Sequence, residues 1–544
     1  MINSLGNIKR ARVLAVFIFA SCSSSSSTAT PASNTAASNT AASKSAAPNS
    51  AVENTTSKLA PTDTLPKAVF DPSAVGTATV TGPITGGNGG TLLGVSVLDL
   101  PSLDYVQEEF FLSGTASAYT SATPLTSDGQ WTVKPVSPAP YTTRIVVRRP
   151  TDQTKFKGSV LVEWLNTTSG FDNAPDWAMA HTELIRSGWT WVGVSAQAVG
   201  IYGNKGSLAA ALALKIGDPV RYAPLDHPGD SYSYDMFSQA GAVVRSQWKQ
   251  VLGGFEPKLV IATGESQSAF RLSTYVNAVA PLANVYDGYL IHSRGAVGAA
   301  LSQDPLLSLA APDPTLVRTD LGVPVLNFLS ETDMLASRLD YRRAQQPDTH
   351  FLRVWEVPGT AHQDAYGLGI GDQDNGSGTA DTALFAALTN PPKSIYGGVI
   401  TCDSGLNTGP HTYVFRSAIA TLEAWVKTGS APSEMPRFAT APDGLTAVRD
   451  EFGNATGGIR TPQLDVPLAR LSGLGQTGGQ FCGLFGTTVP FDSTRLGAMY
   501  PSHDAFVAKW NTAVDSAVAA GAVLPVDAKV LRAVAAASTI GNPG

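Results

Sequence analysis

The sequence has little charge and no excess of basic residues. Only 15% of its 544 residues are charged, and 37 Lys and Arg stand against 43 Asp and Glu, so the formal net charge is −6. Proteins that bind nucleic acids carry a basic surface that meets the phosphates. The composition therefore argues against a nucleic-acid partner. It is otherwise ordinary, because 43% of the residues are hydrophobic, enough for a large core.

Several motifs of metal and cofactor sites are also missing. The sequence has no His-Glu-x-x-His and no paired Cys-x-x-Cys, and its seven histidines are scattered. It has neither the GxxxxGK(S/T) loop that cradles phosphates nor a GxGxxG that follows a predicted strand. We therefore expect no metal ion and no cofactor.

The N-terminus has an apolar run, but a short one. Residues 13–20 follow three basic residues and are too few to span a bilayer as a helix. The run ends in Phe-Ala-Ser-Cys, which resembles the bacterial lipobox, where the cysteine is lipidated and becomes the new N-terminus. We expect an export signal over residues 1–22 with lipidation of Cys22. The alternatives are a plain signal peptide cleaved nearby and a free Cys22.

A low-complexity segment follows over residues 23–66. It contains almost only Ser, Ala, Thr, Asn and Pro, too little apolar surface to offset the entropy of ordering, and it predicts a flexible tether. We expect an exported protein, either a cell-envelope lipoprotein or a secreted one, that meets a membrane only through an N-terminal lipid. In an oxidising compartment Cys402 and Cys482 can pair as a disulfide, and two separate buried thiols are the alternative.

The rest of the chain alternates between strand and helix patterns. The globular part begins near Ala68, and residues 76–150 predict short strands broken by Gly and Pro. Apolar runs then alternate with segments of helical period, which favours βαβ units and a mostly parallel, twisted sheet with helices on both faces. The predicted strands are residues 160–165, 189–194, 259–263, 289–292, 323–329 and 351–357.

Helices fit between these strands. One begins near Pro175, a second follows Ser266, and a third carries an apolar stripe from Phe415 until Gly429 ends it. This alternation is typical of an α/β fold, and we expect one such domain over residues 67–429.

Two segments depart from the alternation. Residues 198–234 are a long connection rich in Gly, Pro and Asp, which we interpret as a lid. Residues 430–544 form a C-terminal extension that we expect to pack on the domain. It ends in two predicted helices, at 504–520 and 527–538, the second with Asp527 as its N-cap.

A candidate nucleophile lies between a predicted strand and a predicted helix. The motif Gly-Glu-Ser-Gln-Ser at residues 264–268 follows the strand KLVIAT and precedes the helix SAFRLSTYVNAV. A sharp strand-to-helix turn exposes the central hydroxyl, and it needs small flanking residues such as Gly264 and Ser268. We predict that Ser266 is a nucleophile, with an ordinary N-cap serine as the alternative. A similar motif at residues 193–197 has a bulky last residue and no helix directly after it.

A serine hydroxyl needs a base within hydrogen-bond reach and an acid that orients this base. For a serine in such a turn, the expected chain order is Ser, acid, His. The acid is expected directly after the strand at 323–329, where both Asp333 and Glu331 stand. Asp333 lies at the usual distance past the strand, and Glu331 stays open as the alternative.

The base is expected in a loop after the last predicted strand. His362 follows a Gly-containing turn there, so it is the candidate base, and His411 is its rival. His292 falls inside a predicted buried strand and is interpreted as structural. The oxyanion hole needs two backbone N–H groups. We expect one from Gln267 and the other from Asn166 or Thr167, in the loop after the first parallel strand.

These features together resemble a bacterial, often secreted, family of α/β-hydrolase domain proteins. The matching stretches are VLVEWLN, NAPDWAMAH, GVSAQAVG, GESQSAFRL, YDGYLIHSRG, FLSETDML, VPGTAHQDAY, GNATGGIRTP and FCGLFGTTVPFD, so the resemblance covers nearly all of residues 70–540. It implies the α/β-hydrolase fold and a Ser-His-acid esterase, with Ser266, His362 and either Asp333 or Glu331 in the three roles. It supplies no particular substrate.

The sequence therefore predicts a serine hydrolase that cleaves a small-molecule or polymer-derived carboxylic ester through an acyl-enzyme. Three alternatives remain: an acyltransferase on the same triad, an amidase or peptidase, and a tethered binding lipoprotein with a degenerate site.

Overall fold

The computed structural model describes most of the chain after the predicted linker, namely residues 70–94, 98–204, 211–479 and 481–542. The predicted export signal, Cys22 and the tether over residues 23–66 lie outside the described residues and stay predictions. In the described part, no helix combines the length and the apolar character needed to cross a bilayer.

A nine-stranded sheet forms the centre of the fold. Its strands are β1 (Thr79–Thr81), β2 (Tyr105–Thr120), β3 (Lys134–Pro150), β4 (Ser159–Trp164), β5 (Thr190–Val194), β6 (Leu259–Glu265), β7 (Gly288–His292), β8 (Val325–Ser330) and β9 (Leu352–Val357). They lie in the order β1-β2-β3-β5-β4-β6-β7-β8-β9. The first three strands and β5 pair antiparallel, and all pairs from β5 to β9 are parallel. The mostly parallel sheet predicted from the sequence is confirmed.

The helices, in chain order, lie between and after these strands. They are α1 (Pro175–Arg186), α2 (Ala198–Tyr202), α3 (Leu214–Gly217), α4 (Ser233–Ser246), α5 (Trp248–Val251), α6 (Gln267–Ala278), α7 (Ala280–Ala283), α8 (Glu331–Leu335), α9 (Thr379–Ala387), α10 (His411–Thr428), α11 (Pro462–Asp465), α12 (Ser493–Met499), α13 (His503–Ala519) and α14 (Pro525–Ala536). Two small hairpins complete the fold, β10 (Ser394–Ile395) with β11 (Ile400–Thr401) and β12 (Ala469–Ser472) with β13 (Thr487–Pro490).

The strands at the centre of the sheet are apolar on both faces. In β4, Val160 and Val162 belong to one hydrophobic core, whereas Leu161 belongs to the core on the opposite face. A strand covered on both sides reads as a continuous apolar run. This burial explains why the sequence alone predicts the parallel strands.

The region before β4 differs from the prediction of short strands. It contains two long strands, β2 and β3, of 16 and 17 residues. The prolines that suggested breaks, Pro135, Pro138 and Pro140, lie in the part of β3 that pairs with β2 alone. A strand with one neighbour tolerates a missing N–H, so these prolines do not end it.

The two C-terminal helices were predicted within two residues, but one detail was wrong. The N-cap of α14 is Leu524, and Asp527 lies inside the first turn. The carboxylate of Asp527 accepts a 2.6 Å hydrogen bond from Arg186 of α1. Asp527 therefore helps to attach the C-terminal extension to the sheet-bearing part of the protein rather than capping its own helix.

Candidate active site

Ser266 lies in a tight turn between β6 and α6. Its backbone has φ 57° and ψ −119°, a strained conformation for a residue with a side chain. Its N–H donates to the carbonyl of His292 at 3.0 Å. Strand and helix approach so closely that a Cβ on Gly264 would lie 3.2 Å from the Cβ of Ser268. The turn therefore needs small residues at both positions.

Three side chains from separate parts of the chain meet at this turn. The Oγ of Ser266 lies 2.7 Å from the Nε2 of His362, which follows β9. The Nδ1 of His362 lies 2.6 Å from Oδ1 of Asp333, in α8. His362 is only 2% exposed and Asp333 is fully buried, so water screens these contacts weakly. The structure thus brings together the serine, the histidine and one of the two acids that the sequence singled out.

The two acidic residues after β8 have different partners. Asp333 accepts a 2.7 Å hydrogen bond from the N–H of Ser330 and donates its own N–H to the Ser330 hydroxyl, which is a capping box. Glu331 accepts from the N–H of Gly359 and pairs with Arg449, each at 2.9 Å. Asp333 rather than Glu331 therefore contacts the imidazole. Ser330 and Asp333 have the Ser-x-x-Asp spacing that is typical of a capping box.

Opposing effects set the pKa values of the histidine and the acid. Burial lowers the pKa of His362, but the charge and hydrogen bond of Asp333 and the charge of Glu265 outweigh it, so this pKa lies above its usual value. Burial raises the pKa of Asp333, but the attraction of His362 and the hydrogen bonds from His362 and Ser330 hold it below its usual value. Asp333 is therefore ionised at neutral pH, and the imidazole is basic enough to take a hydroxyl proton.

Glu265 was passed over in the sequence, yet it lies against the same imidazole. Its Oε1 is 3.4 Å from the Nε2 of His362. It also accepts hydrogen bonds of 3.1 Å from the side chains of Gln363 and Asn166. Burial raises the pKa of Glu265 to about 7. Its place directly before Ser266 was the signal that could have identified it, because that position adjoins the reacting atoms.

Two backbone N–H groups are candidates for the oxyanion hole. Gln267 begins α6, so its N–H has no partner in the helix, and the described residues offer it no other acceptor. Of the two candidates for the second donor, Asn166 is contradicted, because its N–H donates to the carbonyl of Asn173 at 2.9 Å. The next N–H, on Thr167, has no acceptor in the described part of the chain. Thr167, the alternative from the sequence, is therefore the better candidate.

A pocket of about 270 Å³ is lined by Ser266 and His362. Its apolar lining includes Leu368, Tyr396, Phe481, Leu484 and Phe485. Its polar lining includes the carboxyl groups of Glu265 and Asp372, and none of the described lining residues is Lys or Arg. Burial raises the pKa of Asp372 to about 6. The pocket thus combines an apolar wall with carboxyl groups that no Lys or Arg of the described lining neutralises.

The predicted lid does not form a wall of this pocket. The described residues of segment 198–234 are absent from the lining. They pack on the antiparallel part of the sheet instead, where Arg221 pairs with Glu109 and Tyr222 contacts Phe111. The expectation of a lid is therefore not met, because these ionic and aromatic contacts hold the segment against β2.

A disulfide joins Cys402 to Cys482, whose Cα atoms lie 5.7 Å apart. Both cysteines belong to a hydrophobic cluster that includes Leu368, Phe481 and Phe485 of the pocket wall. The pairing expected from the sequence therefore connects Cys482, next to the wall residue Phe481 in the C-terminal extension, to Cys402 in the preceding domain.

The competing candidates from the sequence have other partners. Ser195, of the second Gly-x-Ser motif, is fully buried, accepts a 2.9 Å hydrogen bond from Arg144 and donates to Asp172 at 2.5 Å. His411, the rival base, is also fully buried and donates from Nδ1 to the carbonyl of Ala361 at 3.0 Å.

The described residues contain no cluster of three or more His, Cys, Asp or Glu that could hold a metal ion. The chemistry that the site offers is that of a hydroxyl next to a base, with an acid behind the base.

The comparison with protein families agrees with the fold. A family model described as "Alpha/beta hydrolase domain" matches residues 80–533. The comparison with curated proteins found no match. Similar solved structures include a fungal esterase from Rhizomucor miehei, with 14% identity, a TM-score of 0.24, and coverage of 46% of this chain and 74% of that chain. XC6422 from Xanthomonas campestris, an a/b serine hydrolase without lid, has 15% identity, a TM-score of 0.25, and coverage of 45% and 86%.

A third similar structure is acetyl xylan esterase 1 from a Thermoanaerobacterium species, with 12% identity, a TM-score of 0.24, and coverage of 47% of this chain and 78% of that chain. The family model spans well over half of the 544 residues, whereas each of these structures covers less than half. The chain belongs to the α/β-hydrolase domain family.

Proposed function

We propose that the protein is a serine hydrolase that cleaves carboxylic esters through an acyl-enzyme on Ser266. The observation that carries this proposal is the continuous chain of contacts from the Ser266 hydroxyl through His362 to Asp333, at 2.7 and 2.6 Å. A nucleophile, a base and an orienting acid in contact are the parts that acyl transfer needs. Membership of a hydrolase family supports the same reaction class.

In the first step, the Oγ of Ser266 attacks the ester carbonyl while the Nε2 of His362 takes its proton. Asp333 keeps the Nδ1 proton in place and stabilises the imidazolium. The carbonyl oxygen becomes an oxyanion, which we assign to the N–H groups of Gln267 and Thr167. Each such donor is typically worth about 3 kcal/mol in the transition state. His362 then gives its proton to the leaving alcohol.

In the second step, water replaces the alcohol and His362 takes one of its protons. The resulting hydroxide attacks the acyl carbonyl, and the Ser266 ester bond breaks as His362 returns the proton to Oγ. The acid leaves and the free enzyme is restored. Glu265, 3.4 Å from the same imidazole nitrogen, stabilises the imidazolium in both steps whenever it is ionised.

We further propose that the preferred substrates are uncharged esters with an apolar group. The apolar wall around Phe481 and Phe485 favours the burial of such a group. The carboxyl groups of Glu265 and Asp372 line the same pocket, whose described lining has no Lys or Arg, so they repel an anionic substrate. Part of this repulsion is lost at low pH, because the pKa of Asp372 is raised to about 6.

The variant Asp372→Asn tests this charge selection. We expect it to raise kcat/KM for an anionic ester, such as a hemisuccinate, by about tenfold at pH 8, since one like charge is removed. The kcat/KM for the matching neutral ester should change by less than about twofold. An equal effect on both esters, or none on the anionic one, would contradict the role of Asp372.

A product assay separates ester hydrolysis from the rival reactions on the same residues. Matched ester and amide substrates, with and without added alcohol, should give the free acid from the ester and little cleavage of the amide, and Ser266→Ala should remove the activity. If the amide were cleaved as fast, or if the alcohol captured most acyl groups, an amidase or an acyltransferase would be the better assignment.

A further inference from the structure

A second chain of buried titratable groups lies next to the candidate active site. It consists of Asp176 in α1, His292 at the end of β7 and His411 at the start of α10, all fully buried. Asp176 Oδ1 is 2.6 Å from His292 Nδ1, and the Nε2 atoms of the two histidines are 2.7 Å apart. None of the three is among the described residues that line the pocket.

Burial lowers the pKa of His411 to about 3, so its ring is neutral, and the hydrogen bonds of this chain then run in one direction. The carbonyl of Ala361 can only accept, so the Nδ1 of His411, 3.0 Å away, carries a proton. In neutral His411, Nε2 is then an acceptor, and the Nε2 of His292 must donate to it. One further proton lies between Asp176 and the Nδ1 of His292. The protons are thus ordered from the carboxyl group of Asp176 to the Ala361 carbonyl.

Both ends of the histidine pair are attached to the backbone of the candidate catalytic residues. The carbonyl of His292 accepts the N–H of Ser266 at 3.0 Å. The carbonyl that His411 holds belongs to Ala361, directly before His362. A path of three hydrogen bonds therefore joins the backbone of the nucleophile to the backbone of the base, separately from the 2.7 Å contact between their side chains.

The two rings are also fixed by packing. The ring of His292 stacks on Phe415 with centroids 4.1 Å apart, and that of His411 stacks on Phe328 at 5.2 Å. Close packing of this kind leaves a ring little freedom to change its orientation. The hydrogen bond from His411 to Ala361 therefore holds the loop of the base at a defined position relative to β7.

We propose that His292 and His411 are positioning residues for catalysis, which set the distance between the Ser266 hydroxyl and the His362 imidazole through the backbone. This proposal rests on the proposed function. A displacement of about 1 Å between reacting groups can cost about 10²-fold in rate. We therefore expect the His411–Ala361 hydrogen bond to act on kcat, while KM depends on the pocket walls.

Three substitutions of His411 separate this role from simple packing. His411→Phe keeps an aromatic ring on Phe328 but loses both hydrogen bonds. His411→Asn places an amide N–H near the position of Nδ1, so it can still donate to Ala361. His411→Gln places its amide near Nε2, so it can contact His292 but not Ala361. Each variant is compared with the wild type for the thermal midpoint, kcat and KM on a neutral ester, and the labelling rate by a fluorophosphonate.

We expect His411→Phe and His411→Gln to lower kcat and the labelling rate by at least about tenfold, with KM within about twofold. We expect His411→Asn to regain kcat to within about threefold of the wild type. All variants can lose thermal stability, because His292 loses its acceptor or the packing changes. A loss of stability alone does not predict a higher kcat for His411→Asn than for His411→Gln.

Equal kcat values for His411→Asn and His411→Gln, or wild-type kcat for His411→Phe, would overturn the positioning role. If His411→Phe does not fold, the comparison of Asn with Gln decides the question. These results differ from those expected if the proposed function is wrong. In that case the wild type itself would show no labelling at Ser266 and no ester cleavage.

Discussion

Two Asp–His chains lie close together in this protein, and they end differently. The chain from Asp333 ends on the hydroxyl of Ser266, which faces a pocket. The chain from Asp176 runs through His292 and His411 and ends on a backbone carbonyl inside the core. The same groups at the same distances can thus support chemistry or hold a loop. Which of the two they do depends on the group at the end of the chain and on whether this group faces the pocket.

The two Asp–His chains should differ most in the loss of kcat when their aspartate is replaced by asparagine. In Asp333→Asn, the N–H of Ser330 can only donate, so the amide oxygen faces Ser330 and the amide N–H faces Nδ1 of His362. The imidazole is then forced to carry its proton on Nε2, where it cannot accept the proton of Ser266. We expect kcat to fall by about 10⁴-fold, measured on a neutral ester.

Glu331→Gln is the matched control, because Glu331 follows the same strand but binds Gly359 and Arg449. It should keep kcat within about threefold and lower the free energy of unfolding by about 1–3 kcal/mol, since a buried ionic hydrogen bond is weakened. A larger loss of kcat in Glu331→Gln than in Asp333→Asn would assign the acid to Glu331 instead.

In the buried chain, the corresponding change Asp176→Asn should have a much smaller effect. The amide oxygen can accept from Thr263 as the carboxyl group does, and the amide N–H can donate to Nδ1 of His292. The direction of the chain is preserved, so we expect kcat to fall by less than about fivefold. A loss close to that of Asp333→Asn would show that the two chains are not distinct in function, and the kcat of the purified, folded variant provides the measurement.

The smallest effect is expected in Glu265→Gln, as a shift in the pH dependence of kcat/KM. Glu265 contributes to the raised pKa of His362, and the base must be neutral to act, so activity is lost as the pH falls through this pKa. Without the carboxylate the pKa is lower, and the acid limb of kcat/KM should move to lower pH. An acid limb that stays in place or moves to higher pH would contradict the contact between Glu265 and His362.

Much of the fold and of the site could be predicted because the relevant signals are local. The parallel strands are apolar runs covered on both faces, and Ser266 lies between such a strand and a helix with small residues around it. His362 follows the next suitable strand in the chain order. The choice between Asp333 and Glu331 stayed open because both follow the same strand, and the contacts of Glu331 with Gly359 and Arg449 are distant in sequence.

Features that depend on distant contacts could not be predicted. The pocket wall at Phe481 and Phe485 comes from the C-terminal extension, far from Ser266 in sequence. The sequence allows Asn166 as an oxyanion donor, but in the structure its N–H donates to the carbonyl of Asn173. The pairing of His292 with His411 joins residues 119 positions apart and leaves no local pattern. These contacts exist only once the sheet has brought its edges and loops together.

The central claim is that Ser266 is a nucleophile activated by His362 and Asp333. Its most direct test is covalent labelling of the purified protein with a fluorophosphonate, followed by peptide mass spectrometry. We predict one modified residue, Ser266, with labelling removed in Ser266→Ala and slowed by at least about 10³-fold in Asp333→Asn. Labelling of a different serine, or an unlabelled wild type that is correctly folded, would contradict this account.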